Sequence, residues 1–381
     1  MNEYVKRIDK EGIRKFFKMA LEYEDVLSLT IGEPDFSTPF HIREVAMHAL
    51  QQGKTWYAPV EGFSALKVEI ASFYKRKYNI DYDPEKEVLV TVGASEALDL
   101  AFRSYVNKDD EVLVFQPAFV SYEPLAQLTG AKVIAVETYA HDNFIITPQL
   151  LLQNLTSKTK AIILSYPNNP TGATMNYQEY EALVPLLENF EGIIISDEIY
   201  SELTYDHKHA SLAHFDSIKH KVIVINGFSK AYAMTGWRLG YVCAHASLLE
   251  PMVRIHQYSL MCASSVSQFA GIEALKNGDE NIAMMKQEYL HRQGYVLSKI
   301  KSIGLDVIKP RGAFYVFVDI RSTSLSSEEF ANQLLEQQHV AVIPGVAFGK
   351  GGEGFVRISY SYSLPHLKTA LEKIHDFVKS L

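Results

Sequence analysis

Apolar and amphipathic segments alternate along the central part of the chain, between Glu87 and Tyr241. Segments such as EVLVTVG, AKVIAVE and KVIVING are largely apolar, which is typical of strands buried on both faces of a sheet. The segments between them, such as ASEALDLAFRSYV and YQEYEALVPLLENF, place apolar residues at helical spacing. This alternation predicts an α/β fold in which helices cover both faces of a mostly parallel central sheet.

The pattern changes in the C-terminal part of the chain. GLDVIKPRGAFYVFVDI and GFVRISYSYS resemble strands, while SEEFANQLLEQQHV and PHLKTALEKIHDFVKSL are amphipathic helices. These segments predict a second, smaller α+β domain. The long helical segment that begins at Asp279 is expected to join the two domains.

Composition and charge narrow the class of protein. The chain has 381 residues, of which 47% are hydrophobic and 22% charged, and a formal net charge of -8, which argues against nucleic acid as the main partner. Two cysteines, Cys243 and Cys262, are too few for a disulfide framework. The N-terminus lacks the apolar stretch of a signal peptide, and no apolar run approaches the ~20 residues of a membrane helix. We therefore expect a cytoplasmic protein without a membrane partner.

Polar or glycine-rich groups follow five of the predicted strands. They are Gly93-Ala94-Ser95, Pro117-Ala118-Phe119, the segment 168–172, the segment 197–200 and Ser229-Lys230. Ligands of open α/β sheets bind at the carboxyl ends of the strands. The five groups are therefore expected to form one site at one edge of the sheet.

Each group has an ordinary explanation when it is considered alone. Ser95 and Asp197 suit the N-cap of a helix, Asn169 suits a turn, and Lys230 suits a solvated surface. Together they provide an amine nucleophile, a carboxylate, hydrogen-bonding side chains and a helix start that suits an anion. Pyridoxal 5'-phosphate presents an aldehyde, a ring nitrogen, a phenolic oxygen and a phosphate, so we expect this cofactor and no metal.

The expected roles follow from the chemistry of the cofactor. Lys230 would form the Schiff base and act as the catalytic residue, and Asp197 would keep the ring nitrogen protonated. Asn169 and Tyr200 would hydrogen-bond the phenolic oxygen, and Phe119 would stack on the ring. The expected phosphate ligands lie at a helix start and beside the lysine: Gly93, Ala94, Ser95, Ser229 and Arg238.

The motifs that carry these residues resemble those of the fold-type I, class I/II aminotransferases, the aspartate aminotransferase superfamily. SLTIGEPDF, YAPVEG, NNPTG, SDEIY, SKAYAMTGWRLGY and GEGFVRIS occur in the family's order and cover essentially the whole chain. The resemblance implies a large cofactor-binding domain over residues 48–285. It also implies a small domain built from residues 1–47 and 286–381.

The resemblance also implies further site residues and a partner. Tyr57 would reach the phosphate of the neighbouring subunit's cofactor, which implies a homodimer with shared active sites. Arg357, whose planar fork suits a carboxylate, would bind the α-carboxylate of the substrate together with Gly32 and Asn169. The implied reaction is a ping-pong transfer of an amino group between an L-amino acid and a 2-oxo acid, with Lys230 as general base and acid.

The substrate is less closely indicated. GIRKFF and IHQYSLMCASSVSQ resemble segments of bacterial N-acetyl-L,L-diaminopimelate aminotransferases of lysine biosynthesis, and related enzymes accept aromatic amino acids. Two features depart from the family's pattern. Phe119 stands where many family members have Trp, and the second arginine by which the aspartate-specific enzymes bind a side-chain carboxylate, supplied by the partner subunit, is not evident.

Two alternatives to an aminotransferase are left open by the motifs. A C–S β-lyase or a decarboxylase on the same fold would share the lysine and the aspartate. A ligand-sensing transcription factor is disfavoured, because the catalytic-type region starts within about 30 residues of Met1.

Overall fold

A computed structural model of the chain describes residues 1–8 and 25–381. The GIRKFF segment and part of the expected N-terminal portion of the small domain lie outside the described residues. The strands of the described part are β1 (Leu27–Ser28), β2 (Val88–Thr91), β3 (Glu111–Gln116), β4 (Lys132–Glu137), β5 (Thr159–Ser165), β6 (Ile193–Asp197), β7 (Val222–Gly227), β8 (Gly240–Ala244), β9 (Asp306–Val307), β10 (Tyr315–Asp319), β11 (Val340–Ala341), β12 (Ile343–Pro344) and β13 (Phe355–Ser359). The α-helices of the same part are α1 (Phe40–Gln51), α2 (Ser64–Tyr78), α3 (Gly93–Tyr105), α4 (Tyr122–Leu128), α5 (Pro148–Asn154), α6 (Tyr177–Glu181), α7 (Val184–Glu188), α8 (Asp216–Lys219), α9 (Ala246–Ser259), α10 (Ser265–Asn277), α11 (Asp279–Ile303), α12 (Ser327–Gln338) and α13 (Leu364–Ser380).

The central sheet has seven strands in the order β2-β8-β7-β6-β5-β3-β4. Strands β4, β3, β5, β6 and β7 run parallel, and β8 is antiparallel to both of its neighbours. Every residue of β6, β7 and β8 is buried, as their apolar sequences predict. The prediction of an α/β fold with a mostly parallel sheet is confirmed.

Side chains of the sheet alternate between two apolar cores, one on each face. In β5, Ile162 and Leu164 belong to the core that includes α1, α2 and α10, whereas Ala161 and Ile163 belong to the core that includes α3 and α9. This period of two is the expected geometry of a strand. Because helices cover both faces, the carboxyl ends of the parallel strands are left as an open edge.

A third core lies around the smaller, antiparallel sheet, whose order is β12-β13-β10-β9. Helices α11, α12 and α13 contribute to it, and so does Leu29, which follows β1. Strand β1 pairs in parallel with β11, so the N-terminal segment and the C-terminal segment meet there. Along α11, Ile282 packs in a core of the large sheet and Met285 in that of the small sheet.

One predicted helix differs from the structure. The segment YQEYEALVPLLENF forms two short helices, α6 and α7, instead of one. Pro185 lies in the first turn of α7, where its missing N–H group is tolerated, and it interrupts the backbone hydrogen bonding of a continuous helix. Within residues 1–8 and 25–381, no helix combines the length and the apolar character needed to span a membrane.

Candidate active site

A cavity of about 350 Å³ opens at the carboxyl ends of β5, β6 and β7. Its lining contains Ile31, Gly32, Glu33, Ala94, Ser95, Leu98, Phe119, Val120, Tyr122, Ser165, Asn169, Asp197, Ile199, Tyr200, Ser229, Lys230, Thr235, Arg238, Tyr315 and Arg357. The structure therefore brings together most of the site residues that the sequence predicts. Gly93 lies just behind the lining, and Tyr57 lies outside the cavity.

Lys230 projects its amine into this cavity from the loop that follows β7. Its Nζ donates a hydrogen bond of 2.6 Å to the carbonyl oxygen of Gly32 and lies 5.7 Å from the ring centroid of Tyr200. Burial lowers the pKa of the amine to about 8, against the opposing charge of Glu33. An appreciable fraction of the amine is therefore deprotonated near neutral pH, as a nucleophile or a base requires.

Asp197 lies at the end of β6 and is 4% exposed. Its carboxylate accepts hydrogen bonds from the Tyr122 hydroxyl at 2.7 Å and from the backbone N–H of Ile199 at 3.1 Å. Burial raises the pKa of Asp197 to about 6, and both hydrogen bonds oppose this rise. The carboxylate is thus partly compensated by its neighbours, and a cationic group in the cavity would complete the compensation.

The start of α3 lies at the cavity, because Ala94 and Ser95 belong to its lining. Val92 occupies the N-cap position and its own side chain makes no capping hydrogen bond, so Ser95 is not the cap that its residue type suggests. Gly93 has a φ of +76°, and a Cβ there would lie 2.7 Å from Nη2 of Arg238. The glycine therefore lets the guanidinium approach the helix start, and together they form a cradle for an anion.

Arg357 lies in the middle of β13 and is 3% exposed. Its Nη1 donates a hydrogen bond of 2.8 Å to Oδ1 of Asn169, and its Nη2 donates to the carbonyl oxygen of Thr30. The guanidinium packs 4.5 Å from the ring centroid of Tyr315. Among the described residues, its buried Nε has no hydrogen-bond partner, so a donor is left for a ligand.

Tyr200 and Tyr315 form a pair at the boundary between the two sheets. Their hydroxyls lie 2.6 Å apart. A Cβ on Gly32 would lie 2.4 Å from the Tyr315 hydroxyl, so glycine is required for the loop after β1 to pass this side chain. The predicted approach of the Gly32 backbone to the substrate's carboxylate stays a prediction.

The remaining two predicted aromatic residues are placed differently from each other. Phe119 lines the cavity and makes an edge-to-face contact with Tyr122, with ring centroids 5.5 Å apart. Tyr57 is 76% exposed, and its neighbour Trp56 is 55% exposed. Within the described part of a single chain Tyr57 does not reach the cavity, so its role toward a partner subunit stays a prediction.

Sequence reasoning missed five polar residues of the cavity, namely Glu33, Tyr122, Ser165, Thr235 and Tyr315. Tyr122 and Tyr315 lie in segments whose apolar character indicates core. Tyr122 is six residues beyond the end of β3, and Tyr315 belongs to the other sheet. Glu33 lies in the SLTIGEPDF motif, and its Oε2 accepts a hydrogen bond of 3.1 Å from Thr235. The motif was a signal for Glu33, but nothing in the spacing indicates the two tyrosines.

Comparisons with known proteins agree on one family. The family model described as aminotransferase class I and II matches residues 24–374. A Bacillus subtilis protein described as a probable N-acetyl-LL-diaminopimelate aminotransferase is 42% identical over 99% of this chain and 95% of its own length. An aspartate aminotransferase of Pyrococcus abyssi is 40% identical over 100% of this chain and 98% of its own length.

A solved structure has the same architecture. The aromatic aminotransferase from Pyrococcus horikoshii superposes with a TM-score of 0.91 at 40% identity, covering 96% of this chain and 99% of that one. At this level of identity the shared architecture extends across both sheets. The names of the similar proteins differ in substrate but agree in the type of reaction.

Proposed function

We propose that this chain, which belongs to the class I and II aminotransferase family and is an aminotransferase, holds pyridoxal 5'-phosphate in the cavity described above. The single observation that carries the proposal is the placement of Lys230, Asp197 and the cradle of Gly93 and Arg238 around one cavity. An amine, a buried carboxylate and an anion cradle match the aldehyde, ring nitrogen and phosphate of that cofactor.

The residues present fit the cofactor on three structural grounds. The close approach of Arg238 to the start of α3 leaves no room for a side chain at position 93, as expected of a cradle kept for a ligand. Ser229 lies beside the lysine and lines the same cavity. Asp197 is a buried carboxylate without a cationic hydrogen-bond partner among the described residues, and a pyridinium nitrogen would supply one.

Each of the chain's own groups has a proposed role. When bound, the cofactor supplies an electron sink that makes the proton on the substrate's α-carbon easier to remove. The Nζ of Lys230 takes that proton as general base and later returns it as general acid. Burial lowers the pKa of this amine to about 8, which favours the deprotonated form that a base requires. Asp197 holds the positive charge of the ring nitrogen, and Phe119 packs against the ring.

Arg357 is proposed to bind the α-carboxylate of both substrates. Its guanidinium group donates hydrogen bonds to Asn169 and Thr30 and packs on the ring of Tyr315. These contacts fix the orientation of the guanidinium before the substrate binds. A preorganised bidentate donor suits a carboxylate. Asn169, which contacts Arg357, would also hydrogen-bond the phenolic oxygen of the cofactor together with Tyr200.

The proposed amino donors are aromatic amino acids, which the cavity lining supports, or N-acetyl-LL-diaminopimelate, which is supported by similarity to the Bacillus subtilis protein described as a probable N-acetyl-LL-diaminopimelate aminotransferase. Three cations line the described part of the cavity, namely Lys230, Arg238 and Arg357, and each already has a proposed role. No lining cation is left for the side-chain carboxylate of aspartate. Much of the remaining lining is apolar and suits an aromatic side chain: Ile31, Leu98, Phe119, Val120 and Ile199.

A homodimer with shared sites is proposed from exposed apolar side chains near Tyr57. They are Phe40, Met47 and Leu50 of α1, Trp56, and Tyr258, Leu260 and Met261 at the end of α9. These segments are linked, because His256 of α9 donates to the Val60 carbonyl and Ser265 donates to the Lys54 carbonyl. Apolar residues exposed together in one region are typical of an interface. A cytoplasmic location is supported by two free thiols, Cys243 and Cys262, which suit a reducing compartment.

An absorbance experiment on the purified protein tests the proposed function. Bound pyridoxal phosphate is expected to give a visible band that a true amino donor bleaches and a 2-oxo acid restores, and Lys230→Ala is expected to lack that band. Aspartate turning over orders of magnitude faster than the aromatic and acetylated donors would contradict the donor assignment. Release of pyruvate and ammonia from a cysteine conjugate without any 2-oxo acid would support the lyase alternative.

A further inference from the structure

A buried glutamate–histidine pair lies behind the start of α3, outside the cavity lining. Oε1 of Glu96 and Nδ1 of His256 are 2.6 Å apart. The histidine side chain is 0% exposed and the glutamate side chain 7% exposed. The two residues come from α3 and α9, which are far apart in the sequence, so the pair is built by packing of the two helices.

Both partners are fully engaged on their other sides. Oε2 of Glu96 accepts a hydrogen bond of 2.5 Å from the backbone N–H of Val92, the N-cap of α3. Nε2 of His256 lies 3.0 Å from the carbonyl oxygen of Val60, where the ring must be the donor. The pair therefore shares one further proton and is neutral overall, whichever partner holds that proton.

The position of Glu96 creates a conflict that the histidine resolves. A carboxylate in the first turn of a helix is favourable because it satisfies an N–H group and the positive end of the helix dipole. The next two residues, Ala94 and Ser95, line the cavity, and the free N–H groups of a helix start favour an anion there, such as a phosphate ester with up to two negative charges. An uncompensated Glu96 would repel that phosphate through a poorly solvated medium.

We propose, on the basis of the function proposed above, that His256 is a positioning residue that neutralises Glu96 and so allows the start of α3 to hold the cofactor's phosphate. Glu96 fixes the helix start through Val92 without adding a net charge behind the cradle. The same ring ties Val60 to the helix. Val60 lies three residues after Tyr57, so the loop that carries Tyr57 is anchored to the phosphate site of its own chain.

Two ligands separate this proposal from a purely structural role. Pyridoxal lacks the phosphate of pyridoxal 5'-phosphate but is otherwise the same molecule. A charge behind the cradle should therefore change the affinity for pyridoxal 5'-phosphate and leave the affinity for pyridoxal nearly unchanged. Four proteins are compared in the cofactor-free form: wild type, His256→Asn, Glu96→Gln and the double variant. Asn is chosen because its amide can still donate to the carboxylate near the position of Nδ1, whereas the proton that makes the pair neutral is lost.

The expected results form a cycle. His256→Asn is expected to weaken binding of pyridoxal 5'-phosphate about tenfold and binding of pyridoxal less than about twofold. Glu96→Gln is expected to bind pyridoxal 5'-phosphate as tightly as wild type or more tightly, because Gln carries no charge that the histidine must neutralise. The double variant is expected to recover to within about threefold of wild type. Dissociation constants come from titrations followed by protein fluorescence, and far-UV circular dichroism checks that each protein is folded.

The outcomes distinguish this inference from the proposed function. If both single variants weaken both ligands equally, or if the double variant is worse than either, the pair is only structural and the inference is overturned. If the wild type does not bind pyridoxal 5'-phosphate at all, the proposed function fails and the inference falls with it. If His256→Asn does not fold, Glu96→Gln decides: a loss of pyridoxal 5'-phosphate affinity of more than about tenfold in that variant overturns the inference.

Discussion

The hydroxyl of Tyr122, at the first position of α4, donates a hydrogen bond of 2.7 Å to the carboxylate of Asp197 at the end of β6. Both groups are buried, and the hydrogen bond partly offsets the cost of burying the carboxylate. The relationship joins the helix after β3 to the carboxyl end of a different strand. It fixes one oxygen of Asp197 and orients the carboxylate within the cavity.

Replacing Tyr122 with Phe is expected to change how stability depends on pH. Burial raises the pKa of Asp197 to about 6, so the native protein holds this proton more tightly than the unfolded chain does. The free energy of unfolding of the cofactor-free protein should therefore fall as pH rises from about 4 to about 6. In Tyr122→Phe the pKa of Asp197 should rise further, because the hydrogen bond that opposes the rise is lost. The decrease in the free energy of unfolding should then be larger and extend to higher pH. Urea unfolding at several pH values measures this decrease.

Tyr166→Phe is the matched control for this experiment. Tyr166 is also a buried tyrosine, and its hydroxyl donates a hydrogen bond of 3.0 Å to the carbonyl oxygen of Phe144 instead of a carboxylate. The control should lose about 1 kcal/mol at every pH, with no added pH dependence. Identical pH profiles for the two variants would contradict the account of Asp197.

Gly93→Ala is expected to weaken binding of pyridoxal 5'-phosphate by about tenfold or more, since the new methyl group would displace Arg238 from the cradle. Gly53→Ala provides the control. Gly53 also has a positive φ, +67°, but nothing lies within 4 Å of its Cβ position. Both variants should lose about 1–2 kcal/mol of stability from the left-handed backbone, and only Gly93→Ala should lose cofactor affinity. Equal cofactor affinities would show that the cradle is not at Gly93.

Gly32→Ala is expected to raise KM for the amino donor, because a Cβ would collide with the Tyr315 hydroxyl and shift the loop beside Arg357. Adding Tyr315→Phe removes the colliding hydroxyl and should recover part of the loss. Steady-state kinetics of the single and double variants measure this. The steric explanation would be contradicted if the double variant had the same raised KM as Gly32→Ala alone.

Arg357→Lys is expected to lower kcat/KM by about 10²-fold, equivalent to about 2.7 kcal/mol. An ammonium group cannot keep the contacts to Asn169 and Thr30 and also offer two parallel donors to the carboxylate. The control is Arg321→Lys, at an exposed arginine whose partner is Asp319. That substitution should change kcat/KM less than about twofold. A comparable loss in both variants would point to a general effect of losing arginine.

The sequence predicted the sheet edge but not all of its neighbours. Asp197 and Lys230 were found because each follows an apolar strand, and the ends of parallel strands meet at one edge whatever the details of packing. Tyr315 was not found because it belongs to the other sheet, 115 residues beyond Tyr200, and a tyrosine in an apolar strand indicates core. Its contact depends on how the two sheets pack, which periodicity does not encode.

Other features depend on more than one chain or on backbone geometry. The exposed Tyr57 has no partner in the cavity of its own chain, so its role follows from the family resemblance alone. The two helices α6 and α7 were predicted as one because apolar spacing continues through the segment, whereas the break is set by Pro185. Domain bounds at residues 48 and 285 stay predictions.

The most direct test of the central claim is the identity of the lysine that carries the cofactor. The protein is loaded with pyridoxal 5'-phosphate, reduced with borohydride to make the attachment permanent, digested, and analysed by peptide mass spectrometry. The account predicts that the added mass lies on Lys230, and that Lys230→Ala treated in the same way gives no stoichiometric attachment at any lysine. Stoichiometric attachment at a different lysine of the wild type, or an unmodified Lys230, would contradict it.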